Sequence, residues 1–279
     1  MSNIIDAVLN MVNYKNNTLL TNSHGNNRAN NAGDGLEEFV KDMFAGTFNK
    51  KGESRLLEIQ KVFSYLGNNS NPPDAMLKNG DAIEVKKIET PNASLALNSS
   101  HPKYKLFRSS PMISEACRNA ESWNEKDIVY VVGYVNGGKL KAISMVYGMD
   151  YCANESCYLR LKRAIKQGVE EISGIEFSES RELGHINKVD PLGITYMRVR
   201  GMWGIENPWK VFSYVFNKRE NNFSMMCIVR KSKWETFENR EKFFQVAART
   251  ENLEIKEIRI KDPDNPALLN EANLITFHF

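Results

Sequence analysis

The sequence predicts an α/β fold with a mixed central sheet flanked by helices. Three observations carry that reading. Asp127-Ile128-Val129-Tyr130-Val131-Val132-Gly133-Tyr134 is an almost unbroken apolar run, the pattern of a central strand buried on both faces. Asp74–Leu77 and Asp81–Lys87 flank Lys78-Asn79-Gly80, and Asn-Gly between apolar runs is a strong hairpin signal. Segments with apolar residues at helical spacing stand before, between and after these strands.

In chain order, Ile4, Ile5, Val8, Leu9 and Val12 recur at helical spacing and predict a helix over 3–13. Residues 15–33 are rich in Asn and Gly and read as a polar loop, with a DNA-contacting arm as the sharper alternative. Asp34 is expected to cap the next helix, with Glu37 as its capping-box partner. That helix spans 35–45, its stripe being Leu36, Phe39, Val40, Met43 and Phe44. Glu37 stands at the edge of the stripe, while Glu38 lies opposite, in water. Val62–Leu66 reads as a strand that ends in Gly67–Pro73. Residues 90–111 show no period and read as a loop, and Met112, Ile113, Ala116, Cys117, Ala120 and Trp123 predict a helix over 112–125.

After the central strand, Gly137-Gly138 turns the chain into a strand at Leu140–Tyr147, and Tyr158, Leu161, Ile165, Val169 and Ile172 predict a helix over 154–172. Ile194–Gly201 alternates as a strand, with Tyr196, Arg198 and Arg200 on one face. Strands are expected at 210–216, 225–229, 253–260 and 274–279, and a helix at 233–249. No linker and no repeat interrupts residues 1–279, which read as a single domain; a C-terminal subdomain over about 190–279 is a further reading.

Several classes drop out. No run of about 18 apolar residues exists, so no membrane span is expected. The start, Met1–Asp6, has neither a basic nor an apolar leader region, and four scattered cysteines make no disulfide framework, so a cytoplasmic protein is expected. Cys152 and Cys157 have roughly zinc-like spacing, but no second Cys/His pair matches them. A net charge of +3 is compatible with a nucleic-acid partner without demanding one.

The chemistry concentrates on the hairpin. In a strand over 81–87, Ala82, Glu84 and Lys86 share one face, and Ile83 and Val85 point into the core. Across the turn Asp74 approaches Glu84. Two carboxylates beside an ammonium suit magnesium-dependent phosphodiester hydrolysis. Carboxylates and waters hold Mg²⁺, the metal polarises the phosphate and acidifies a water, and Lys86 offsets charge on the phosphorane. Taken alone, Glu-x-Lys is common on solvated strands and Pro-Asp is an ordinary turn signal. The combination says more: Pro73-Asp74, a nine-residue gap holding Asn-Gly, Glu84-Val85-Lys86, a helix before and a helix plus buried strand after. It resembles the PD-(D/E)XK nuclease core in order as well as motif.

Four longer segments resemble the NgoPII-type family of type II restriction endonucleases. They are Asn27-Arg28-Ala29-Asn30-Asn31-Ala32-Gly33-Asp34, Val62–Lys87, Met145-Val146-Tyr147-Gly148-Met149-Asp150-Tyr151-Cys152, and Arg198-Val199-Arg200-Gly201-Met202-Trp203-Gly204-Ile205-Glu206-Asn207-Pro208-Trp209. The resemblance covers most of the chain to about residue 216. It implies a PD-(D/E)XK fold and a Mg²⁺-dependent enzyme of a restriction–modification system. Such an enzyme cleaves double-stranded DNA at the palindrome GGCC, acting as a homodimer. By motif position Asp74 and Glu84 become metal ligands and Lys86 the catalytic lysine, with no departure at these positions. Glu37, with three residues between it and Gly33, matches the first-helix glutamate of many such nucleases.

A palindrome is matched most simply by a two-fold dimer. Guanine readout in the major groove favours Arg or Lys, so Arg198 and Arg200 are the first candidates, with Trp203 beside them. Lys87, Lys103, Lys105 and Arg28 are candidate phosphate contacts. The bland readings are a solvated strand face with salt bridges for the arginines and core packing for Trp203 and Trp209. A structure-specific repair nuclease on the same core, or a non-cleaving DNA-binding module, are the alternatives.

Overall fold

The structure, a computed structural model, describes residues 1–19, 28–68, 71–180, 182–220 and 222–279, without the side chains of 28–34 and 68. The part of the predicted polar loop at 20–27 lies outside the described residues.

Helix α1 (Ile4–Tyr14) is capped by Asn3, whose side chain accepts the Ile5 N–H at 2.8 Å, while the Asp6 carboxylate accepts the Asn3 N–H at 3.2 Å. Helix α2 (Arg28–Ala45) begins well before residue 34. Asp34 is therefore not an N-cap, Glu37 is not its capping partner, and 28–33 is helix rather than loop. Asn, Asp and Gly cost at most about 1 kcal/mol each against Ala, and no proline interrupts them. Burying Leu36, Phe39, Val40, Met43 and Phe44 outweighs that cost. Glu38, expected in water, pairs with Lys41 and Arg55, each at 2.7 Å.

Helix α3 (Gly52–Val62) exposes Leu56 and Leu57 and shows no strong apolar stripe in sequence. Strands β1 (Phe63–Asn68), β2 (Asn71–Leu77) and β3 (Ala82–Ile88) follow, with Asn79 left-handed at the turn (φ 55°). Inside the stretch read as loop stand β4 (Leu95–Asn98) and β5 (Lys105–Phe107). β4 pairs with residues 203–205, far along the chain, and such pairing leaves no local signal. Of the helix expected over 112–125 only α4 (Glu115–Asn119) forms. Trp123 Nε1 donates to the Cys117 carbonyl at 3.3 Å, an acceptor the next helical turn would use.

Strands β6 (Glu125–Asn136) and β7 (Lys139–Tyr147) lead into α5 (Gly148–Tyr151) and α6 (Glu155–Glu170). The apolar stripe of α6 is not buried: Leu161 and Ile165 are exposed. β8 (Glu176–Phe177), β9 (Gly184–Asn187) and β10 (Met197–Val199) make a small antiparallel sheet, so the strand expected over 194–201 is three residues long. After β11 (Trp203–Ile205) comes α7 (Pro208–Val211), a helix where a strand was expected at 210–216. Asn207 caps it, accepting the Lys210 N–H at 3.2 Å, and Pro208 pre-sets its first turn. Then follow β12 (Ser224–Arg230), α8 (Lys231–Trp234), α9 (Arg240–Ala247), β13 (Leu253–Lys261) and β14 (Leu269–His278). The single helix expected at 233–249 is broken because Asn239 bonds Asn3 (2.9 Å) and Asp6 (3.0 Å), drawing the chain towards α1.

The main sheet runs β1-β2-β3-β6-β7-β12-β14-β13, with β5 on β6. It is parallel at β3–β6 and β7–β12 and antiparallel elsewhere, the mixed sheet the sequence predicts. Strands β12–β14 complete this sheet, whereas 197–205 lie in small sheets, so the stretch 190–279 is divided between them. One face of the sheet packs on α1, α2 and α9, the other on Leu95, Leu106, Ile113, Cys117, Trp209 and Phe212. Gly133 on β6 lets Leu36 descend onto the sheet, since a Cβ there would lie 2.8 Å from its methyls. Gly133 pairs with Lys87, so this seat places the first half of α2 beside the end of β3. Among the described residues no helix is long and apolar enough to cross a membrane.

Candidate active site

The hairpin ladder is interrupted beside the candidate residues Asp74 and Glu84. Leu77 N–H donates to Asp81 O at 2.9 Å, and Met76 pairs with Ala82 and Ala75 with Ile83. The next donor on β2 would be Pro73, which has no N–H. Beyond the paired residues, the Val85 N–H donates to Asp74 Oδ2 at 2.6 Å. Where the ladder ends, a backbone N–H of β3 thus fixes the Asp74 side chain. By alternation from Met76 and Ala82, Asp74, Glu84 and Lys86 all stand on one face of the sheet.

Lys86 Nζ donates to Glu84 Oε1 at 2.6 Å. Glu84 Oε2 is buried and has no hydrogen-bond partner among the described residues. Burial, and after it the charge of Glu84, push Asp74 up to about 7, against the pull of Lys86 and the Val85 N–H; Glu37 adds to the rise. For Lys86, burial disfavours the charged form, but Glu84, Asp74 and Glu37 outweigh it and hold its pKa above the usual lysine value. Three carboxylates thus act on one ammonium, and the carboxylate charge exceeds what Lys86 neutralises.

Gly67 determines where Asp74 can sit. A Cβ on Gly67 would lie 2.5 Å from Pro73 O, 2.7 Å from Asp74 O and 2.8 Å from Asp74 Cα, all backbone atoms that cannot swing aside.

The other candidates are scattered. Arg198 and Arg200 lie together on and beside β10, both bonded to Glu182. Trp203 packs edge-on against His101 and Tyr158 and lines a cleft of about 400 Å³ with Asn71, Met112, Lys162, Glu182 and Arg200. That cleft reaches from Asn71 at the start of β2 to Arg200. Lys103 is buried rather than exposed on a loop: its N–H donates to Tyr130 Oη at 2.8 Å. Burial lowers the Lys103 pKa, opposed by the charges of Glu84 and Glu155. Lys105 pairs with Glu125 at 2.6 Å, beside Asp127 at the turn end of the sheet. Lys87 alternates to the opposite face from Lys86 and pairs with Glu89 at 2.8 Å. Arg28 begins α2, and its side chain is outside the described ones. A larger cavity, about 780 Å³, opens at the turn end beside Asp81, Asp127 and Lys233, away from Glu84 and Lys86.

A family model for the NgoPII restriction endonuclease matches residues 2–261. The chain belongs to that family. The curated protein "Type II restriction enzyme NgoPII" of Neisseria gonorrhoeae is 55% identical to it over 278 residues, covering 99% of each chain. No solved structure matches. The expected class, a type II restriction endonuclease and so a site-specific nuclease acting on DNA, stands on these two matches.

For a restriction endonuclease the Gly67 contact carries an expected result. Gly67→Ala displaces the Pro73–Asp74 backbone and lowers single-turnover cleavage about 100-fold, the scale of a 1 Å misplacement. Wild-type cleavage by a folded Gly67→Ala protein, checked by circular dichroism, would remove Gly67 from the positioning of Asp74. Neither Gly67 nor Glu182 carried a motif; Gly67 is an ordinary turn-like glycine until its distance to β2 is known.

Proposed function

We propose that this chain is a Mg²⁺-dependent PD-(D/E)XK endonuclease that cuts double-stranded DNA at GGCC as a homodimer, with Asp74, Glu84 and Lys86 as its catalytic centre. The observation that carries the reading is the buried, unpartnered Glu84 Oε2 beside Asp74, whose own charge is disfavoured by burial and by Glu84. Such a donor set fits a hard cation, and Mg²⁺ takes one or two carboxylates and completes its shell with water and phosphate oxygens. Asp74 and Glu84 would hold it. When bound, the ion supplies Lewis acidity at the phosphate and a water acidic enough to act near neutral pH.

The chain's own groups have separable tasks. Lys86, held above the usual lysine pKa, is a full ammonium at neutral pH and cannot accept a proton. Its role is to donate, to Glu84 in the free protein and to phosphate oxygens with DNA present, offsetting charge as it develops. The Val85 N–H fixes the Asp74 carboxylate through Oδ2. Glu37 on α2 adds negative charge felt at both Asp74 and Lys86 and strengthens the demand for a cation.

DNA would lie along the cleft between β2 and the small sheet. Arg198 and Arg200 are proposed to read guanine, with Trp203 packing behind them. Exposed Arg160 and Arg163 and half-buried Lys162 on α6 are better placed for phosphates than Lys105 or Lys87, which are committed to carboxylates on other parts of the sheet. Lys103, facing Glu84 from a buried position, belongs with the centre rather than with the open groove.

Digestion of a DNA of known sequence with Mg²⁺, followed by end mapping, tests the proposal. Discrete fragments ending at GGCC are expected, with no cutting in EDTA. Fragments ending at another palindrome would overturn the site, and nicks at junctions without sequence preference would replace the reading with a structure-specific nuclease. Sedimentation of the free protein reports the dimer.

A further inference from the structure

We infer that Glu182 is the positioning residue for base readout: its single carboxylate holds Arg198 and Arg200 by their inner edges and leaves the outer fork of each guanidinium free for DNA. The inference rests on the proposed readout role of the two arginines and concerns how they are presented.

The geometry is specific. Arg198 donates from Nε to Glu182 Oε2 at 2.7 Å and from Nη2 to Oε1 at 2.6 Å, a bidentate side-on pair. Arg200 donates from Nε to the same Oε1 at 2.5 Å. A guanidinium has five N–H groups. Arg198 spends two of its five on Glu182 and keeps three, including both on Nη1; Arg200 spends one and keeps four. A guanine edge needs two coplanar donors for O6 and N7, and the Nη1/Nη2 end of each arginine still provides them. The carboxylate therefore does not occupy the reading edge. It sets the plane of each guanidinium and offsets the repulsion between two like charges on neighbouring strand positions.

The backbone puts Glu182 where this is possible. Leu183 N–H donates to Val199 O at 3.0 Å, and Gly184 and His185 pair with Val199 and Arg198. Glu182 is thus the residue where the β9 side of the small sheet runs out beside the arginines. Gly201 allows the close approach, since a Cβ there would meet Leu183 at 3.2 Å. Glu182 and Arg200 both line the cleft that also holds Asn71, three residues before Asp74, so Arg200 and the carboxylate that holds both arginines face the same groove as the catalytic strand. The arginine side chains are about half exposed, and exposed ion pairs add little to folding, so stability does not account for a three-residue arrangement of this kind.

The test compares Glu182→Gln and Glu182→Ala with wild type in Mg²⁺, on the mapped recognition site and on sites altered at one guanine. Expected is a loss of discrimination of about 10-fold or more, on the scale of one bidentate contact, larger for Ala than for Gln, with the thermal midpoint unchanged. Gln keeps one acceptor for the Arg198 Nη2 and Arg200 Nε groups that share Oε1, so it remains informative if the Ala protein folds poorly. Unchanged discrimination in both variants overturns the inference. Tighter binding to DNA of every sequence also overturns it, because Glu182 would then be a competitor of DNA. Arg198→Ala and Arg200→Ala, run alongside, separate the two levels. If they too leave discrimination unchanged, the readout role itself fails; if they abolish it while the Glu182 variants do not, only the role of Glu182 fails.

Discussion

Asp74→Asn or Glu84→Gln abolishes cleavage, by about 1,000-fold or more, while the protein stays folded and, for Asp74→Asn without metal, becomes more stable at pH 8. On the proposed centre the loss follows from removing a charged ligand from a two-carboxylate site and the electrostatic stabilisation that depends on it. The gain in stability has an explicit sign. Asp74 sits at about 7 in the fold against an ordinary 3.8, so its charged form opposes folding. A raised carboxylate contributes stability that is fully present below the unfolded pKa and is lost as pH climbs towards the folded one. Wild-type protein in EDTA should therefore lose stability between about pH 4 and 7, by roughly 2–4 kcal/mol at most, and Asp74→Asn should not. Asn keeps an oxygen to accept the Val85 N–H, so the local strand geometry persists. Mg²⁺ should raise the melting temperature of wild type at pH 8 and leave that of Asp74→Asn nearly unmoved. Thermal melts across pH with and without Mg²⁺ measure this. Cleavage near the wild-type rate by either variant, or a pH-independent melt of the metal-free wild type, would sink the assignment.

Arg230→Met destabilises the fold by about 3–5 kcal/mol, the usual cost of stranding a buried charge. The Asp150 side chain is fully buried; it accepts Arg230 Nε at 2.7 Å and the Arg230 N–H at 3.3 Å. Arg230 also donates from Nη2 to Met149 O at 3.1 Å, so one side chain ties the end of β12 to α5 at the end of β7. Burial raises the Asp150 pKa more than Arg230 lowers it. With the folded pKa already above the unfolded one, the carboxylate is least costly when protonated. Losing Arg230 should thus hurt most at neutral and alkaline pH, and the deficit should shrink as the medium is acidified. Adding Asp150→Asn to Arg230→Met should restore a large part of the loss. Urea titrations of the four proteins in this cycle decide it, and an Arg230→Met protein within about 0.5 kcal/mol of wild type would show the pair to be dispensable.

What was legible followed from short-range rules. The central strand β6 read as buried because both faces of Asp127–Tyr134 are apolar, and it sits between β3 and β7. The β2–β3 hairpin read from Asn79-Gly80, and the turn is there with Asn79 left-handed. Elements failed where a distant partner decided them. β4 forms because β11 pairs with it, and the helix at 233–249 breaks because Asn239 is held by Asn3 and Asp6. The start of α2 was misplaced because capping signals at Asp34 and Glu37 imitate a helix start inside a helix that its buried stripe prolongs.

The sequence by itself determined the α/β class, the hairpin, and the face that Glu84 and Lys86 share with Asp74. Turn chemistry and the two-residue period of a strand are local, and the longer matched segments already pointed to the family that the comparisons bear out. Only the tertiary structure decided that Lys103 is buried facing Glu84, that Gly67 sets the position of Asp74, and that Glu182 gathers Arg198 and Arg200. Each of these depends on the approach of chain segments whose contact no local period records, and close packing, rather than pattern, sets the distances at which charges meet.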